Sequence, residues 1–288
     1  MSAAAGTTCR TPGRRSYRFR GLIATLALVL AAALWLPTSA DAGGPAPRPK
    51  PTVVLVHGAW ADSSSWSEVV RRLQSDGYTV EVPPNPLRGL AGDAAYLTAY
   101  LQTIVGPIVL VGHSYGGAVI TNAASGNTNV KALVYISAFI PDQGETVVQL
   151  ASAQPGSALA VADPTTVFRL VPYPGSTPGD FDAYIVPDVF VDAFANDLPR
   201  HTAAVLAATQ RPVTLSALAT PSGPPAWRGI RTWALVGTRD RVLPAAEQTA
   251  MAERARAHTI RVSASHLSMI SRPNEVSDLI RDAARATR

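Results

Sequence analysis

The residues best suited to chemistry in this chain are Gly112-His113-Ser114-Tyr115-Gly116-Gly117. They directly follow an apolar run, Ile108–Val111, and directly precede a helical stretch, Ala118–Ala124. A strand-to-helix turn this sharp crowds the serine backbone, and glycines two residues before and after Ser114 let the neighbouring chain pass without Cβ clashes. The hydroxyl is thrust outward at the strand's carboxyl end, which makes Ser114 the candidate nucleophile. A five-residue pattern with three fixed positions also arises by chance in Gly/Ser turns. The strand before it and the helix after it set this one apart.

A serine alcohol is a weak nucleophile at neutral pH, so it needs a base in hydrogen-bonding reach and a third group that holds the base in the right tautomer. Five histidines are available. The chain order nucleophile, acid, histidine points beyond the last strand, to His266 in Ser263-Ala264-Ser265-His266. His258 lies at the opposite end of that strand and reads as a surface residue, while His201 falls in a region that could at most touch substrate. His57 and His113 flank glycines in two turns and read as supports for the backbone. For the acid, Asp240 in Gly237-Thr238-Arg239-Asp240 follows the apolar run Thr232–Val236 and fits the same order. Turn-forming or helix-capping is the ordinary role of an aspartate placed as Asp240 is, and Asp142, after Ala132–Ile136, is the competing position for the acid.

An oxyanion that develops on acyl transfer needs preorganised donors. The backbone amide of Tyr115 supplies one, and His57-Gly58-Ala59-Trp60 brings amides to the same edge, with Ala59 as the second donor. Trp60 is a candidate substrate contact, or else packs beneath whatever covers the site.

These residues need a scaffold that lines up strand ends. Val53–Val56, Val80–Val82, Ile108–Val111, Ala132–Ile136, Thr232–Val236 and Thr259–Val262 are short β-branched runs of the kind buried on both faces. Helical stretches separate most of them: Ser64–Leu73, Ala94–Val105 with Leu97, Leu101, Ile104 and Val105 on one face, Ala245–Ala257 and Asn274–Arg285. Such alternation implies an α/β fold with a doubly wound, mostly parallel sheet, whose ligand site lies by the carboxyl ends of the strands. From 141 to 228 the alternation stops. Many prolines and weakly amphipathic stretches, Val189–Phe194 and Arg200–Ala208, mark an inserted, largely helical cap between two core segments, 51–140 and 229–288.

The first 42 residues read as a signal peptide: Arg14, Arg15, Arg18 and Arg20 precede the apolar run Leu22–Leu36, and small residues end at Ala40-Asp41-Ala42. The run of about 15 residues is short of the roughly 20 a membrane-spanning helix needs, so a permanent anchor is not expected. Residues 43–50 form a Gly/Pro-rich linker. Cleavage after Ala42 removes five arginines, one aspartate and Cys9, the only cysteine, and lowers the net charge from +5 to +1. The exported chain, secreted or periplasmic, is then free of disulfides and thiol nucleophiles. The full chain, 47% hydrophobic, can fill a sizeable core, and no basic run interleaved with aromatics suggests nucleic acid as a partner.

In these motifs the chain resembles the α/β-hydrolase superfamily, particularly the small esterase branch of salicylate-type esterases and, more distantly, hydroxynitrile lyases. The matching pieces are His57-Gly58-Ala59-Trp60 with Trp66, the turn around Ser114, Gly237 to Asp240, and Ser265-His266 followed by Ser271-Arg272-Pro273. The resemblance implies a cofactor-free serine hydrolase that cleaves a small-molecule carboxylic ester or lactone through an acyl-enzyme. Arg239 and Arg241 stand where lyases of this kind tend to carry a lysine, which weakens the lyase alternative. Other chemistry on the same three residues, and a non-catalytic binding protein of the same fold, are the remaining alternatives. The residues agree independently: no Walker-type loop, dinucleotide glycine motif or metal-ligand cluster calls for a cofactor. Phe168, Tyr173, Phe181, Tyr184, Phe190 and Phe194 in the cap suit either an apolar substrate lining or the cap's own small core.

Overall fold

A computed structural model describes residues 49–287. The expected signal peptide and nearly all of the linker lie outside the described residues. The β-branched runs are all strands: β1 (Thr52–Val56), β2 (Val80–Glu81), β3 (Ile108–His113), β4 (Val130–Ile136), β8 (Arg231–Gly237) and β9 (His258–Val262). They pair in the order β2-β1-β3-β4-β8-β9, every pair parallel. β1 and β3 meet with Val53 opposite Val109 and Val56 opposite Gly112. Both strands are buried along almost their whole length, which explains the uninterrupted apolar runs.

The crossover helices are α1 (Ser67–Ser75), α2 (Leu90–Gln102), α3 (Tyr115–Ala123), α7 (Ala245–Arg254) and α8 (Pro273–Arg285), with α4 to α6 in the insertion described below. α8 shows how they are held: Val276, Leu279, Ile280, Ala283 and Ala284 form its buried face, whereas Glu275, Asp278 and Arg285 stay outside. One helix differs from expectation. α2 starts at Leu90, behind Gly89 in a backbone conformation that only glycine adopts readily, and ends at Gln102. Val105, expected on the buried face, lies past the helix end and is 95% exposed, while Ile104 stays buried.

The chain runs from β1 outward to β2 and then returns to the other side of β1 as β3. The sheet therefore reverses its winding between β1 and β3, where the strand ends open a crevice. The loops following β1 and β3 carry Ala59, Trp60 and Ser114 to that crevice.

Residues 137–230 leave the sheet between β4 and β8. Besides the helices α4 (Val147–Ser152), α5 (Arg200–Thr209) and α6 (Leu215–Ala219), they hold an antiparallel sheet of β5 (Phe168–Val171), β6 (Asp182–Ile185) and β7 (Val213–Thr214). The prolines that break periodicity concealed these short strands from a sequence reading. The insertion is tied to the core by polar contacts: Trp60 Nε1 donates to the Ala183 carbonyl at 2.9 Å, the Thr214 amide to the Leu87 carbonyl at 3.2 Å, and Arg88 pairs with Asp182. Among the described residues, no helix is long and apolar enough to cross a membrane.

Candidate active site

Ser114 sits between β3 and α3 with φ 51° and ψ −125°, a conformation that costs a non-glycine residue on the order of 1–3 kcal/mol. The surrounding glycines make room for it. A Cβ on Gly112 would meet the Gly116 carbonyl oxygen at 2.6 Å, and one on Gly116 would meet the carbonyl oxygens of Val56 and His57 at 2.6 and 2.8 Å. A Cβ on Gly58 would come within 2.7 Å of the Ser114 Cβ, so the loop after β1 runs directly against the serine. The turn is braced from beneath by the buried Tyr115 phenol, which donates to Asp93 Oδ2 at 2.7 Å. Burial and the neighbouring carboxylate keep that phenol protonated.

The Ser114 hydroxyl lies 2.8 Å from His266 Nε2, and His266 Nδ1 lies 2.7 Å from Asp240 Oδ2. All three groups are buried. With Nδ1–H donating to the carboxylate, Nε2 is left as the acceptor for the serine proton. Asp240 is held in turn by the amides of Val242 and Leu243, at 2.8 and 2.9 Å to Oδ1, and by Gln248 Nε2, at 2.9 Å to Oδ2. A carboxylate this well supplied with donors is fixed in place. Asp142 is not brought to this site. Both of its carboxylate oxygens instead accept from Arg228 Nη2, at 2.8 and 2.9 Å, in an exposed ion pair.

The other histidines separate as their positions suggest. His57 Nδ1–H donates to the Gly58 carbonyl, Nε2 accepts from the Asn85 amide at 3.0 Å, and burial lowers its pKa to about 4. His113 Nε2–H donates to the His266 carbonyl at 2.8 Å, and desolvation, reinforced by the adjacent His266, holds it neutral. It therefore supports the backbone of His266 rather than competing with its ring. His258 is exposed at the start of β9, and His201 is exposed on α5.

Ala59, Trp60, Ser114 and Tyr115 line one cavity of about 490 Å³. Neither the Ala59 nor the Tyr115 amide donates to any acceptor among the described residues, so both N–H groups are free for an anion. Trp60, with φ 57°, is pinned by its bond to Ala183, by stacking on Phe168 with centroids 5.5 Å apart, and by the edge of Phe194 at 6.0 Å. The rest of the wall is mainly aliphatic: Val147, Ala151, Leu159 and Val161 from the insertion, Leu215, Leu218 and Ala219 near α6, and Val242. Among the described residues, no charged side chain lines it. Of the insertion's aromatics, Phe168 lines the cavity, whereas Phe190 and Phe194 are packed inside and Tyr173 bonds Asp180. Among the described residues, no group of three His, Cys, Asp or Glu side chains is placed to hold a metal ion.

Three supporting residues escaped the sequence reading: Asn85, Gln248 and Asp197, whose carboxylate accepts from both the amide and the hydroxyl of Ser265. None belongs to a motif. Only Gln248, eight residues past Asp240 in the following helix, is close enough in sequence to have been suspected.

Comparison with known proteins agrees with this architecture. A carbendazim hydrolyzing esterase of Nocardioides sp. (strain SG-4G) is 33% identical over 110 residues, 34% of this chain, and the match spans 46% of that curated relative's length. Among solved structures, polyneuridine aldehyde esterase superposes with a TM-score of 0.68 at 18% identity, covering 81% of this chain and 99% of that one. A pyrethroid hydrolase from Sphingobium faniae JZ-2 gives 0.65 at 21%, covering 82% and 98%. Tomato methylketone synthase I with 2-tridecanone gives 0.67 at 17%, covering 83% and 100%. At these identities the likeness is one of fold. The sequence profile of the Alpha/beta hydrolase family matches residues 53–279, well over half of the chain. On that match, and on the parallel sheet that carries it, the chain belongs to the alpha/beta hydrolase family.

Proposed function

We propose that this protein is a serine hydrolase that cleaves carboxylic esters or lactones of small to medium apolar substrates. The observation that carries the reading is the continuous hydrogen-bonded line Asp240–His266–Ser114, at 2.7 and 2.8 Å, opening onto an uncharged cavity of about 490 Å³. Ser114 Oγ attacks the ester carbonyl as its proton passes to His266 Nε2, and Asp240 stabilises the imidazolium that forms. The carbonyl oxygen, now an anion, takes hydrogen bonds from the Ala59 and Tyr115 amides, each such donor being worth about 10²–10³ in rate. Collapse breaks the bond to the alcohol, which leaves with the proton from His266. Water, deprotonated by the same imidazole, then cleaves the acyl–Ser114 ester and releases the acid. Trp60 forms part of the cavity wall.

The esterase relative and the hydrolase fold neighbours support ester chemistry, and the uncharged wall supports a neutral, apolar substrate, because a charged group would lose its hydration there without gaining a partner. The protein is read as exported through residues 1–42, with 141–228 acting as the cap, and the mass of the chain recovered outside the cytoplasm tests cleavage after Ala42.

The decisive experiment is turnover of p-nitrophenyl acetate, butyrate and octanoate by the purified chain beside Ser114→Ala. Hydrolysis by the wild type that falls by at least about 10³-fold in the variant is expected. Equal rates in the two proteins, or no hydrolysis by either when folded, would count against the reading.

A further inference from the structure

The loop that carries His266 follows β9, an edge strand of the sheet. On its inner side the loop is held by the neighbouring β8 loop, through Arg239 N–H to the Ala264 carbonyl at 3.0 Å. On its outer side, among the described residues, no strand continues the ladder. The insertion supplies the missing partner. Asp197, just beyond a π-helical turn at Phe190–Phe194, turns both carboxylate oxygens onto Ser265: Oδ2 accepts from its amide at 2.9 Å and Oδ1 from its hydroxyl. Ser265 is completely buried and immediately precedes His266. From the same turn, the Phe194 ring stands with its centroid 4.8 Å from the His266 imidazole at an interplanar angle of 65°. Asn196 Nδ2 donates to the Arg239 carbonyl at 3.1 Å, next to Asp240, and Arg241 Nη1 donates to the Asp192 carbonyl at 3.0 Å.

We infer that Asp197 is a positioning residue for His266, by which the insertion holds the base in line with Ser114. The inference rests on the serine-hydrolase reading above and assigns part of that machinery to the insertion rather than to the sheet. Asp197 is absent from the cavity wall, so it has no direct means of changing substrate affinity. Its two acceptor oxygens define the backbone of the residue before the imidazole, and a small displacement there moves Nε2 out of line with the serine hydroxyl. Misplacement of a reacting group by about 1 Å can cost on the order of 10²-fold in rate.

The test compares the full-length wild type with Asp197→Ala and Asp197→Asn on p-nitrophenyl butyrate, with thermal midpoints measured alongside. Asp197→Ala is expected to lose about ten- to hundredfold in kcat with KM within about twofold. Asp197→Asn keeps an oxygen for the Ser265 amide and turns an N–H toward the Ser265 hydroxyl oxygen, so it is expected to recover most of that loss. Wild-type kcat in Asp197→Ala, a change confined to KM, or equal losses in both variants would overturn the inference. If Asp197→Ala does not fold, Ser265→Ala carries the test, because it removes the hydroxyl bond and keeps the amide bond. A loss of about threefold or more in kcat is then expected, and unchanged kcat would overturn the inference. Labelling by a fluorophosphonate separates the two levels. No label on Ser114 in the wild type overturns the serine-hydrolase reading and this role with it. Labelling of Asp197→Ala at the wild-type rate overturns only the role of Asp197.

Discussion

Three of the five histidines lie within one buried cluster, yet the bonds each makes give them different work. His266 has Nε2 on a serine hydroxyl and Nδ1 on a carboxylate, while His57 and His113 spend a ring N–H on backbone carbonyls. The last two are held neutral by burial, and this has a consequence for stability. A histidine with a folded pKa of about 4 against 6.5 unfolded binds its proton more readily in the unfolded chain. Its contribution is therefore fully present above pH 6.5 and is lost as pH falls from 6.5 toward 4. Urea unfolding at pH 5 is expected to give a stability lower than at pH 7 by roughly 2 kcal/mol from His57 alone, with His113 adding in the same direction. A stability unchanged between the two would show that His57 is solvated.

At the scale of elements, the turn from β3 into α3 decides whether the site exists. Gly116 lets α3 start directly against the end of β1, where the Val56 and His57 carbonyls leave no space for a Cβ. The loop after β1 that carries Ala59 runs against Ser114 at the same place. Gly116→Ala must push β1 and α3 apart. It is expected to cost about 2–3 kcal/mol in chemical unfolding, an overpacking penalty met by rigid backbone, and to reduce turnover by at least about tenfold as the two amides separate. A variant with wild-type stability and turnover would mean that the elbow has slack that these distances deny.

At the scale of the whole molecule, sheet and insertion divide the labour. The sheet edge presents the serine, the carboxylate and the free amides, and the insertion closes the cavity with Val147, Ala151, Leu159 and Leu218. Two of its residues, Val148 at 52% and Val161 at 39% exposure, leave large apolar side chains at the cavity wall in contact with solvent. Filling the cavity from the insertion should alter selection among substrates without touching the chemistry. Ala151→Phe is expected to lower kcat/KM for p-nitrophenyl octanoate by about tenfold relative to acetate, a few methylenes' worth of lost pocket. Parallel losses on both esters would place the substrate elsewhere.

What could be read from the sequence follows from the range of the interactions involved. Strands buried on both faces must be apolar throughout, so their runs are visible at once, and the elbow's glycines answer steric demands within a few residues of Ser114. The positions of Ser114, His266 and Asp240 could be named because each follows such a strand. Chain order favours Asp240 over Asp142 although both follow strands, and the geometry sends the first to His266 and the second to Arg228. Val105 was misjudged because helical periodicity does not announce where the helix stops. Asp197 was invisible for a stronger reason. It lies 68 residues from Ser265, in a stretch without periodicity, and belongs to no motif that follows a strand. Contacts between such distant segments leave no pattern along the chain, so only the tertiary structure could decide which side chains of the insertion reach the site.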